Sequence, residues 1–172
     1  MNKFFIWLFV LFFSALASNF LVISLNAAEL KAIFLDAKWD GKKIPDDQQC
    51  ITQGGVNPST PKIKVTGIPS GAKSILMTIT DYNYGSAGLH GVFRFKVADG
   101  ATEMVLPAIA ETAKNFPSGV EIEKYESGGM SQEGNYLPPC SDRRSHMYAS
   151  EIQVVDSDDE ELALFDLEWG RY

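Results

Sequence analysis

From Leu30 onward the chain alternates apolar and polar positions in short runs, broken by glycine, proline and asparagine. A period of two marks strands with one buried face. Leu30 to Trp39 reads as a first strand with Ile33, Leu35, Ala37 and Trp39 on one side. Asp40-Gly41 is a turn, and Asp46 to Pro61 is a polar loop that carries Cys50. Lys62 to Gly67 is a short strand with Ile63 and Val65 inward. The turn Pro69-Ser70-Gly71 launches Ser74 to Thr80, where Ile75, Met77 and Ile79 share a face. Val92 to Ala98 sets Phe93, Phe95 and Val97 against Arg94 and Lys96. Ala101 to Lys114 is a helix or an extended arm; Pro107 interrupts it, so irregular structure or a short helix after the proline is expected. Val120 to Tyr125, His146 to Val155 and Leu164 to Trp169 complete the strands. No internal repeat is visible. Short strands with almost no helix predict a mainly β fold, an antiparallel, Greek-key-like β-sandwich with few short helices.

The first 28 residues follow a different pattern. Lys3 precedes the nearly unbroken apolar run Phe4 to Ala17, which continues through Phe20 to Leu25 and ends at Asn26-Ala27-Ala28. A basic start, an apolar middle and small residues at the end read as a secretory signal peptide, cleaved after Ala28. Ala15-Leu16-Ala17 is a second candidate cleavage site. The rival reading is an uncleaved membrane anchor, since Phe4 to Leu25 is long enough to span a bilayer. Residues 29–172 then form one domain, in the periplasm or secreted.

Charge narrows the partners. The chain carries 15 basic and 22 acidic residues, a formal charge of −7. Losing residues 1–28 takes away Lys3 and no acid. An acidic chain without a basic stripe argues against nucleic acid as a partner. The two cysteines, Cys50 and Cys140, pair in an oxidising compartment or stand as separate thiols; secretion favours the disulfide.

The usual enzyme signatures are missing: no nucleophile elbow, phosphate loop, dinucleotide fingerprint or His-Glu-x-x-His motif. With only His90 and His146, no histidine-rich metal site can be built, and no metal or other cofactor is expected. The acids from Asp156 to Glu161 lack calcium-loop spacing and read as a solvated loop. Candidate chemistry gathers instead on Pro69 to Gly91. There a strand ends on Asp81, a loop rich in glycine and tyrosine carries Tyr82 and Tyr84, and His90 opens the next strand. Polar groups at a strand end beside such a loop are a common basis for a ligand site. The long loop from Ser127 to Arg144, which includes Cys140, is a second functional candidate.

These pieces have a familiar order. Cys50 through Gly55-Val56-Asn57-Pro58-Ser59-Thr60-Pro61, the turn Gly67-Ile68-Pro69-Ser70-Gly71-Ala72-Lys73-Ser74, Asp81, His90, Pro138-Pro139-Cys140, His146-Met147-Tyr148 and Val154-Val155-Asp156 follow one another as in a known family. The sequence resembles the phosphatidylethanolamine-binding proteins, in particular their bacterial Raf-kinase-inhibitor-like branch, over nearly the whole of residues 29–172. The resemblance implies a two-sheet sandwich with a small anion pocket that takes phosphate or a phospholipid head group. Asp81, His90, His146 and Tyr148 match its walls. It implies a binding protein and not an enzyme; the alternative is a protein-interaction or inhibitor module, of the protease- or kinase-inhibitor kind, working through residues 127–144. Four positions depart from the family pattern. Tyr82 and Asn83 replace the proline and second aspartate after Asp81, Gly91 replaces the tryptophan after the pocket histidine, and Met147 replaces an arginine. Arg143 and Arg144 either supply positive charge in its place or stand as exposed loop residues.

Overall fold

The computed structural model describes residues 28–85, 88–124, 136–142 and 144–172. The apolar segment before Ala28 and most of the loop from Ser127 to Arg144 lie outside them. Eight strands are seen: β1 (Lys31–Phe34), β2 (Ile63–Thr66), β3 (Ser74–Asp81), β4 (Leu89–Lys96), β5 (Glu103–Leu106), β6 (Val120–Lys124), β7 (Met147–Val155) and β8 (Glu161–Arg171). They form a three-stranded sheet, β1-β2-β5, and a five-stranded sheet, β6-β4-β3-β7-β8, and every neighbouring pair is antiparallel. Within the larger sheet β3, β4 and β6 follow one another and β7 returns beside β3, which is a Greek key. A 3-10 turn, Ile51–Gln53, lies in the loop between β1 and β2.

One core fills the space between the sheets. Ile63, Val65 and Leu106 come from the smaller sheet; Ile75, Met77, Ile79, Phe93, Phe95, Ile152, Val154 and Trp169 come from the larger. Alternation predicts these faces because successive side chains of a strand point to opposite sides. It misplaces β1, where Ile33 and Leu35 are 57 % and 45 % exposed and Leu30 and Ala32 are buried. Pairing decides this: Ala32 lies opposite Val65 and Phe34 opposite Ile63, so the inward residues of β2 carry these two inward with them. Trp39 is buried as expected, but by a turn after the strand has ended, with its N–H on Asp36 O at 3.1 Å. The arm after Asp99-Gly100 forms β5 ahead of Pro107, and no helix follows among the described residues. β8 extends beyond its expected limits at both ends.

Cys50 and Cys140 form a disulfide across 90 positions of sequence. Around it the loop after β1 is laced to the segment before β7. Cys50 donates its N–H to Pro139 O at 2.9 Å, Gln53 Nε2 donates to Cys140 O at 3.2 Å, and Asp142 N donates to Gln53 Oε1 at 2.9 Å.

Candidate binding site

Asp81 is the last residue of β3, the central strand of the larger sheet, and is only 1 % exposed. With β4 on one side and β7 on the other, whatever those strands carry at this end is brought to its carboxylate. Tyr148 of β7 is its register partner. On the β4 side the register slips: Ile79 pairs with Gly91 and Thr80 with Leu89, leaving His90 as an extra residue in a bulge. Strict alternation from the inward Phe93 and Gly91 would turn His90 outward. The bulge resets the alternation, and His90 is buried. Gly91 makes this bend with φ at 142°, a backbone region that L side chains rarely adopt, so a tryptophan here would be strained.

His90 is clamped to the segment before β7. Its carbonyl accepts Leu137 N–H at 2.8 Å, and its Nδ1 lies 2.6 Å from Leu137 O. A carbonyl only accepts, so Nδ1 is the protonated nitrogen. The ring meets Tyr148 edge-on, with centroids 5.3 Å apart.

His146 sits just before β7 and is fixed by two backbone bonds with Tyr172, at 3.0 and 3.1 Å. Its Nδ1 is 2.7 Å from Asp81 Oδ2. The other oxygen, Oδ1, accepts Asn83 N–H at 2.8 Å, and Asn83 Oδ1 in turn accepts Met147 N–H at 2.9 Å. Asn83 therefore braces the pair, and it does so without placing a second negative charge beside Asp81. Because the carboxylate takes the Nδ1 proton, Nε2 is the nitrogen left to meet a ligand; it makes no hydrogen bond among the described residues. Tyr84 packs edge-on against this ring at 5.3 Å.

Tyr148 is fully buried, and its oxygen accepts Cys140 N–H at 3.1 Å. Burial holds its phenol well above the usual tyrosine range; hydrogen bonds with Ser141 and from Cys140 oppose this, and the Asp81 carboxylate adds to it. The ring thus stays a neutral phenol at any ordinary pH. Ser141, buried, is anchored through its hydroxyl to Tyr172 O at 2.9 Å. The disulfide at Cys140 accordingly fixes the segment that supports both Tyr148 and His90.

The four residues expected from sequence converge at one end of the larger sheet. Tyr84 joins them, and Tyr82 does not. Tyr82 lies over the outer face, where Glu151 and Asp166 are register partners and Glu168 is close by. Burial, followed by these three carboxylates, raises its phenol above the ordinary value. Asp166→Asn is expected to lower the Tyr82 titration midpoint, because one charge opposing the phenolate is gone; ultraviolet difference spectra at low salt against a Tyr82→Phe control measure it. Arg144 is exposed, and Arg143 lies outside the described residues. The described residues contain no cluster of His, Cys, Asp and Glu suited to a metal ion. Sequence reading missed Asn83 as a brace, the Leu137 carbonyl and Ser141; each acts through a long-range contact that leaves no local signal.

The architecture matches the phosphatidylethanolamine-binding protein fold. A search of solved structures finds E. coli YbcL, described as a new member of the mammalian PEBP family, with TM-score 0.58 and 18 % identity over 84 % of this chain and 98 % of that one. It also finds CT736 of Chlamydia trachomatis, described as a homologue of phosphatidylethanolamine-binding proteins, with TM-score 0.53 and 17 % identity over 84 % of this chain and 97 % of that one. No protein-family model and no curated protein matches the sequence.

Proposed function

We propose that this protein binds a small oxyanion, phosphate or a phosphorylated head group, in the pocket of Asp81, His90, His146 and Tyr148, and that it does so without catalysis, in the periplasm or secreted. The observation that carries the reading is the Asp81–His146 pair. The Asp81 carboxylate accepts from Nδ1 and so orients the ring, and a protonated imidazole held this way presents Nε2–H as a charged donor. The neutral ring presents only a lone pair there, which suits a ligand hydroxyl or ammonium group. The fold supports a binding protein of that family.

His146→Ala should weaken phosphate and phosphoethanolamine binding roughly tenfold or more, the worth of one charge-assisted hydrogen bond. Calorimetry on the intact chain checks this. Equal affinity in the His146→Ala variant, or none in the parent protein, would sink the reading.

A further inference from the structure

A cleft of about 760 Å³ is lined by Lys42, Lys43, Asp46, Gln49, Ser145 and Arg171. Tyr172, which holds His146 by its backbone, lines it as well. Three cations and one side-chain carboxylate meet here in a chain of net charge −7. The Lys43 ammonium is 2.5 Å from Asp46, which accounts for the acid. Lys42 has no salt bridge among the described residues. Arg171 donates one N–H to Ser145 O at 2.8 Å and meets no carboxylate among them.

The frame is rigid. Ile44 N donates to Arg171 O and Arg171 N to Lys42 O, both at 2.9 Å, and Lys43 and Arg171 form a parallel bridge. Asp40 Oδ1 fixes the turn by accepting the N–H groups of Lys42 and Lys43. The two segments that carry these cations are therefore joined through their main chains.

Gln49 backs the wall of the cleft: it is only 6 % exposed and its Oε1 is sealed from solvent. The geometry points to a second ligand site in this cleft, for an organic phosphate or carboxylate whose anion is held by Lys42 and Arg171. The volume suits a small organic molecule and exceeds what a bare ion needs.

Two-dimensional amide NMR of the intact chain, titrated with glycerol 3-phosphate and separately with glycerate, tests this. Saturable shifts are expected at Lys42, Lys43, Ile44 and Arg171, and the tighter of the two probes assigns the anion as phosphate or carboxylate. Combining Lys42→Gln with Arg171→Gln should weaken binding about tenfold or more. Shifts that fail to saturate, or that persist in the double variant, overturn the site itself. The histidine ring signals in the same titrations report the Asp81–His146 pocket separately, so either site can fail without the other.

Discussion

Replacing Cys50 and Cys140 together by serine is expected to lower stability by about 4–5 kcal/mol, the chain-entropy value for a loop of this length. The bond closes 90 positions, nearly the full span from the first loop to the segment before β7. For a domain of this size that corresponds to a fall in thermal midpoint on the order of 10 °C or more. The effect should reach the pocket. Cys140 gives its N–H to Tyr148, and the same segment holds His90 through Leu137. With the staple gone, amide exchange should quicken first at Leu137 and Cys140, before the strands β3 and β7 open. Denaturant unfolding with exchange measurements on the double variant checks both parts. A loss under about 1 kcal/mol would mean that residual structure already restricts the unfolded chain without the disulfide, and would overturn the chain-entropy account.

Gly170→Ala is expected to cost about 3 kcal/mol or more, on two independent grounds. Its φ is 124°, and a Cβ there would lie 2.7 Å from Lys42 C and Lys43 N. Main chain is met on that side, so no side chain can rotate away. The residue sits at a second register slip, where Tyr148 pairs with Gly170 and Ala149 with Glu168. The slip lets Trp169 turn fully inward, and it lets residues 42–44 dock on the end of β8. The variant should therefore lose affinity at the basic cleft even under conditions where it remains folded. Thermal unfolding and glycerol 3-phosphate titration, measured on the same sample, separate the two losses. Parent-like stability would show that the Lys42–Ile44 segment moves freely, against the rigid frame described for it.

The second prediction turns on an irregularity of strand pairing, and that is where sequence and structure part. Period-two alternation correctly places the inward residues of β2, β3 and β4, because pleating puts alternate side chains on opposite faces whatever the partner. It failed at β1, where Ile33 and Leu35 are as apolar as the residues that are buried, and only pairing with β2 selects the face. It was silent on His90, since one extra residue in a bulge reverses the face of everything beyond it. The pocket's membership was legible as an order of short motifs, whereas its braces were not. Asn83 reaches Met147 across 64 positions, and Leu137 reaches His90 across 47.

The sequence alone determined a mainly β domain with a buried face on each strand, two cysteines fit to pair, and Asp81, His90, His146 and Tyr148 as the polar residues of interest. Local pattern suffices for the strands, the cysteines, Asp81 and His90, because burial and turn chemistry act within a few residues; His146 and Tyr148 join them through the resemblance in motif order. Tertiary structure decided which nitrogen of each histidine is committed, how the pocket is braced, and that Lys42, Lys43, Gln49 and Arg171 share one cleft. The physical reason is distance along the chain. Lys42 and Arg171 are brought together by a backbone bridge at a strand end, and no periodicity in either segment encodes it.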